Sequence, residues 1–115
     1  MSEEADEEAL LELLDDEYAR SILTATSAEP MSAKELSEAC DASVTTVYRR
    51  IDRLKDHDLI EEQLRPQPDG NHYKVFAGTL SRVEVAFEDG EMTLAVETVP
   101  EEDPADRFTR MWEDL

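Results

Sequence analysis

The stretch Cys40-Asp-Ala-Ser-Val-Thr-Thr-Val-Tyr-Arg-Arg-Ile-Asp-Arg-Leu54 decides how this chain is read. As a helix beginning after Ser43, it places Val44, Val47, Ile51 and Leu54 at offsets 0, 3, 7 and 10, one apolar stripe of helical period. Arg49 falls opposite the centre of that stripe, with Thr45, Thr46 and Arg53 within about 60° of it at roughly 100° per residue. Tyr48 and Arg50 fall on the flanks. A branched apolar back with a hydroxyl-and-arginine front suits insertion into a DNA major groove. Threonine permits close approach, and arginine pairs with guanine edges or holds phosphates. A surface helix with solvated arginines is the alternative from this stretch alone.

The neighbouring segments favour the first reading. Upstream, Met31-Ser-Ala-Lys-Glu-Leu-Ser-Glu-Ala39 predicts a short helix, opened by a capping box of Ser32 and Glu35, with Leu36 and Ala39 facing inward. Cys40-Asp41-Ala42 is a tight turn, and Ser43 caps the next helix. Two short helices so joined make a helix-turn-helix. Downstream, Leu59–Arg65 and His72–Phe76 read as strands around Pro66-Gln-Pro-Asp-Gly-Asn71, a hairpin with Asp-Gly at its tip. Met31 is expected to pair with this wing. Helix, turn, helix, hairpin is the order of a winged helix-turn-helix.

With these motifs in place, residues 15–76 resemble the winged-helix domains of ArsR-like transcription regulators, in the divergent form common in halophilic archaea. The resemblance rests on Met31-Ser-Ala-Lys-Glu-Leu, on Ser43-Val-Thr-Thr-Val-Tyr-Arg-Arg-Ile-Asp-Arg-Leu, and on His57-Asp-Leu-Ile60 leading into the wing. MarR-like and TrmB-like domains share this logic. It implies double-stranded DNA as partner, with wing residues at the minor groove or its flanking phosphates, and dimerisation through terminal helices. The residues expected at DNA are then Lys34, Ser43, Thr45, Thr46, Tyr48, Arg49, Arg50 and Arg53, with Arg65, Gln67, Asn71, His72 and Lys74 on the wing. Asp58 stands where many relatives have Gly; Asp tolerates the left-handed conformation such a helix end requires. The cysteine pair of metal-sensing members is absent, so no arsenic- or metal-sensing role is expected.

Bulk composition sets further bounds. The chain has 115 residues, 30 acidic and 11 basic, for a formal net charge of −19 with only three lysines. Its 40% hydrophobic content and clear periodicity argue for a folded chain rather than a disordered acidic one. An acidic surface of this kind fits a hypersaline cytoplasm, where cations screen self-repulsion. A nucleic-acid binder is ordinarily basic, and the charge is unevenly spread. Residues 34–82 carry eight of the eleven basic side chains and nine acidic ones, so the acid is concentrated elsewhere. No signal peptide and no run of about 20 apolar residues is present, so a cytoplasmic protein is expected. The single cysteine, Cys40, excludes an internal disulfide framework and reads as a small buried residue, with a redox-sensing thiol as the sharper alternative.

Flanking the motif, residues 1–14 read as an acidic arm, solvated over 2–6, followed by a short helix whose leucines (Leu10, Leu11, Leu13, Leu14) pack on the domain. A second helix, starting at Asp15 or Asp16, has Leu14, Tyr18, Ile22 and Ala25 as its inward face. Residues 15–78 form the DNA-binding unit and 79–99 an added hairpin. In that hairpin Val83, Val85, Phe87, Met92, Leu94 and Val96 make one apolar face, around a turn at Asp89-Gly90. An isolated ribbon is marginal, so this face is expected to extend the wing sheet, pack on the N-terminal helices or meet a second subunit. Residues 100–115 read as an acidic connector and an amphipathic helix started by Asp103-Pro104. There Phe108, Met111, Trp112 and Leu115 form one stripe, the expected dimerisation element, with packing on its own domain as the alternative.

The expected fold class is α+β, a winged helix-turn-helix with an added C-terminal β-hairpin and terminal helix. The function expected is sequence-specific transcription regulation by a homodimer on a pseudo-palindromic site, without cofactor, metal or membrane. No nucleophile–base pair, phosphate loop or metal-type spacing points to an enzyme. The alternative is a winged-helix protein-interaction module working through the acidic hairpin face and C-terminal helix.

Overall fold

A computed structural model describes residues 3–99, with side chains from residue 7 onward. The chain runs α1 (Glu3–Asp15), α2 (Glu17–Ala28), α3 (Ala33–Ala39), α4 (Val44–Asp56), β1 (Ile60–Pro66), β2 (His72–Gly78), β3 (Leu80–Glu88) and β4 (Glu91–Thr98). The strands form two separate antiparallel hairpins, β1–β2 and β3–β4. The fold is α+β, a winged helix-turn-helix followed by a second hairpin. The helix expected over residues 103–115, with Phe108, Met111, Trp112 and Leu115, lies outside the described residues.

Helix α1 begins at Glu3, inside the stretch expected to be a solvated arm. Leu10 and Leu13 are buried, while Leu11 points outward. Its C-terminal carbonyls are covered by Arg20, whose Nη1 donates to Leu14 O at 2.7 Å and Asp15 O at 2.8 Å, a cation at the negative end of a helix. Asp16 caps α2 by accepting from the Tyr18 and Ala19 amides at 2.9 and 3.0 Å. The buried face of α2 is Ala19, Ile22 and Thr26, rotated from the expected one, of which only Ile22 is fully buried. Thr26 can be buried because its hydroxyl donates to Ile22 O at 2.7 Å.

The capping box of α3 is present: Glu35 N donates to Ser32 Oγ at 3.2 Å, and Ser32 N to the Glu35 carboxylate at 3.1 Å. Ala33 and Leu36 are buried, but Ala39, expected to face inward, ends the short helix exposed. Asp41 then takes a left-handed φ of 51°, and Ala42 N donates back to Ser37 O at 3.1 Å. This reversal is the turn between α3 and α4. Helix α4 ends by the same device. Asp58 has φ 57°, its amide donates to Lys55 O at 3.0 Å, and Leu59 N donates to Leu54 O at 3.0 Å. These are the two bonds of a Schellman motif, with Asp58 in the place glycine usually takes. Leu54 and Leu59, the apolar pair that accompanies it, are both buried.

The core is assembled from every element of the motif: Leu10 and Leu13 of α1, Ala19 and Ile22 of α2, Leu36 of α3, Val47, Ile51 and Leu54 of α4, then Leu59, Ile60 and Phe76. Each large side chain fully buried here contributes on the order of 1.5–3 kcal/mol. Phe76 links wing to core. Its backbone pairs with Met31, by Met31 N to Phe76 O at 3.0 Å and Phe76 N to Met31 O at 2.8 Å, and its ring meets Tyr48 edge-on at 6.3 Å.

The wing turns through Gln67-Pro-Asp-Gly-Asn71. Gly70 N donates to Gln67 O at 3.0 Å and Gln67 N to Asn71 O at 2.9 Å, with Gly70 at φ 88°. That is a turn completed by a left-handed glycine bulge, which needs Gly70's freedom from a Cβ. The second hairpin uses a two-residue turn, Asp89 and Gly90 at φ 54° and 81°. Its register pairs Val83 with Val96, Val85 with Leu94 and Phe87 with Met92, so the six apolar side chains do share one face. That face is not covered among the described residues: Phe87 is 77% exposed, and Val85, Met92 and Val96 are exposed too. The hairpin does not extend the wing sheet; Leu80, at its base, is the residue that packs against the core.

Candidate nucleic-acid interface

Ser43 sets the geometry of α4 at its leading end. Its Oγ accepts from the Thr46 amide at 3.0 Å and donates to the Thr46 hydroxyl at 3.0 Å, so the two hydroxyls are engaged with each other. No acidic residue lies in the first turn of α4. The unpaired amides of that turn give the helix start a partial positive charge suited to a phosphate.

From there one exposed stripe runs down the helix: Thr45, Arg49, Asp52, Arg53 and Asp56. Arg49 and Arg53 make no ion pair among the described residues and project from the side opposite Val47, Ile51 and Leu54. Asp52 and Asp56 were not among the expected site residues, although their spacing from Arg49 (three and seven positions on) puts them on the same side. The sign alternates along the stripe. Phosphates are attracted by its upper half and repelled by its lower end, so the N-terminal half of α4 is the part that can approach DNA closely.

Val44 is 43% exposed rather than part of the buried stripe, because the first turn of α4 projects beyond the core that starts at Val47. Tyr48, one turn later, is 44% exposed.

Arg50 has a different setting. Its Nε donates to Asp16 Oδ2 at 2.7 Å and its guanidinium lies 5.8 Å from the Tyr18 ring centre, with both charged side chains about four-fifths covered (relative exposures 24% and 18%). Burial alone would raise the Asp16 carboxyl's pKa. The Ala19 amide, the Arg50 guanidinium and the Tyr18 amide outweigh it and hold the carboxyl below its usual range. This arginine therefore ties the second helix of the motif to the cap of α2.

On the wing, Arg65 donates to the Tyr73 hydroxyl at 3.2 Å and to Pro30 O at 3.3 Å, and lies 5.7 Å from the Tyr73 ring centre. Lys74 shares Glu62 with Lys55: Lys55 Nζ is 2.9 Å from the carboxylate and Lys74 Nζ 3.9 Å. The Lys55 hydrogen bond is the main reason the Glu62 carboxyl is held low. Asn71 donates to the Asp69 carboxylate at 3.2 Å. Gln67 and His72 are exposed near the tip, as is Lys34 at the start of α3. The expected set thus divides into side chains with partners in the protein (Ser43, Thr46, Tyr48, Arg50, Arg65, Asn71, Lys74) and side chains directed to solvent (Lys34, Thr45, Arg49, Arg53, Gln67, His72).

Cys40 is half-buried against the core, and burial raises its thiol pKa. The thiol therefore stays protonated and poorly nucleophilic. Among the described residues, no group of three or more His, Cys, Asp or Glu is placed to hold a metal ion, and no helix is long and apolar enough to cross a membrane.

No curated protein matches the chain. Residues 14–63, from the end of α1 through the α3–turn–α4 unit into β1, match the family model described as a helix-turn-helix domain.

Proposed function

We propose that this protein is a sequence-specific transcription regulator that binds double-stranded DNA as a homodimer. The observation that carries the reading is the exposed face of α4, where Arg49 and Arg53 make no ion pair among the described residues and stand beside Thr45, on the second helix of a helix-turn-helix. In this reading α4 enters the major groove by its N-terminal half. Arg49 reads or positions, Arg53 reaches the backbone, and the wing tip with Gln67, Asn71 and His72 grips the flanking phosphates. Arg65 and Lys74 follow as wing contacts, and Lys34 holds a phosphate from α3. Two copies on a pseudo-palindromic site would place half-sites about one helical turn apart.

Residues 15–78 act as the DNA-binding unit and 79–115 as the pairing part. The open apolar face of β3–β4 supports this division. Phe108, Met111, Trp112 and Leu115 supply a second apolar stripe for the same contact. The net charge of −19 with three lysines suits an ArsR-like regulator working in a haloarchaeal, high-salt cytoplasm.

Arg49→Glu together with Arg53→Glu tests the reading. Binding to a duplex selected from random sequence, followed by anisotropy in molar KCl, should be abolished while the thermal midpoint stays within a few degrees. DNA affinity unchanged by the double reversal would overturn it. A second reading, a protein-interaction module, is favoured by the same uncovered hairpin face. There the charge reversal would leave partner binding intact, and Phe87→Ser would weaken it.

A further inference from the structure

Three features of α4 bear on which bases the helix would read. At its leading end the Ser43 and Thr46 hydroxyls are engaged with each other, and Ser43 also takes the Thr46 amide. Val44, the first residue of the helix, is 43% exposed and stands outside the core cluster. Tyr48 follows four residues on, 44% exposed, its ring held edge-on by Phe76 at 6.3 Å. Residues four apart are neighbours on a helix surface. The leading end therefore presents a fixed pair, an isopropyl group beside an aromatic ring, with Tyr48 lying between Val44 and the exposed stripe that starts at Thr45. The largest apolar group on the major-groove edge of B-DNA is the 5-methyl of thymine.

We propose that Val44, backed by Tyr48, is a specificity-determining residue that selects a thymine 5-methyl group in each half-site. The inference rests on the reading of α4 as the DNA-contacting helix and specifies the base chemistry it prefers. Val44 is favoured over Thr45 for this contact because its side chain has no polar atom to satisfy in the groove. The rigid support of Tyr48 by Phe76 removes the need to order a loose side chain on binding. Asp52 and Asp56 further down the exposed stripe oppose deep insertion of the C-terminal half. That leaves the end carrying Val44 as the one nearest the base edges.

The test uses the full-length protein and a duplex selected from random sequence in molar KCl. Each thymine of the selected site is replaced in turn by 2′-deoxyuridine, which removes the methyl and leaves base pairing intact. For the wild type, one position per half-site should lose about threefold to fivefold in affinity, the worth of one buried methyl group. Val44→Ala should bind the thymine site more weakly and show no difference between thymine and uracil at that position. The DNA substitution cannot unfold the protein, so the first arm stands even where Val44→Ala is unstable. A site with no methyl-sensitive position, or a Val44→Ala variant with the wild-type thymine-to-uracil ratio, overturns this inference and leaves DNA binding standing. Failure to bind any duplex overturns both.

Discussion

Removing the Asp16 carboxylate should cost more stability than a surface charge, for two separable reasons. The side chain caps α2 through the Tyr18 and Ala19 amides and also accepts from Arg50 at 2.7 Å. Loss of an N-cap costs about 1 kcal/mol. The ion pair is mostly covered, which places it at the upper end of the roughly 0–1 kcal/mol of a surface pair, at about 1 kcal/mol. Asp16→Ala should therefore destabilise by about 2 kcal/mol, or roughly 8–16 °C in thermal midpoint for a domain of this size. Asp16→Asn keeps a capping oxygen and loses the charge, so it should cost about half as much. Arg50→Met preserves the aliphatic stem and removes the same pair.

Urea titrations followed by circular dichroism at fixed KCl would give the double-mutant cycle. Coupling of about 0.5–1 kcal/mol between Asp16→Asn and Arg50→Met is expected. The pH dependence has a definite sign. The folded Asp16 carboxyl lies below its ordinary value, so its contribution is complete above that value and is lost as pH falls through the folded one. Asp16→Asn should accordingly flatten the acid limb of the stability curve. Strict additivity in the cycle, with an unchanged acid limb, would refute the account of Arg50 as a structural tie. It would also return Arg50 to the residues available for DNA.

Other consequences can be checked more simply. Gly78→Ala would place a Cβ 2.8 Å from Thr26 Oγ1 and 3.4 Å from Ser27 N, so a loss of about 1–3 kcal/mol is expected, partly recovered by adding Thr26→Ala. Phe87→Ser, at a 77% exposed position, should change the monomer's unfolding free energy by under about 0.5 kcal/mol while raising the concentration at which copies associate in sedimentation experiments. DNA affinity measured from 1 to 3 M KCl should fall less steeply than the slope of about −0.9 per phosphate contact. The Debye length is already near 3 Å at 1 M, and acidic side chains retain cations at the interface; a full conventional slope would contradict this.

The local devices were legible because each is written in neighbouring residues. Ser32 and Glu35, Ser43, Asp58 in the place of a helix-ending glycine, and Asp89-Gly90 each announce a cap or turn that the chain then makes. The hairpin register followed from its alternation, with Phe87 opposite Met92. What depended on the third dimension was not legible. Val44 fits the apolar period of α4, yet nothing in the period says where the core stops, and it stops at Val47. Arg50 reads as one more arginine on the flank; its partner Asp16 lies 34 residues away and is brought close only when α2 packs on α4. Thr26 joins the buried face of α2 because its hydroxyl is satisfied along the helix, while the expected Leu14 and Ala25 pack partly buried against the core. Asp52 and Asp56 were within reach of the same periodicity argument that identified Arg49.

The central claim is that the N-terminal half of α4 reads specific DNA. A genome-wide chromatin pull-down of the tagged protein in its native salt, beside the Arg49→Ala variant, tests it most directly. The account predicts discrete peaks upstream of genes that share a two-fold motif and vanish in the variant. Peaks of equal height and position in both proteins would contradict it, as would a profile without peaks in either.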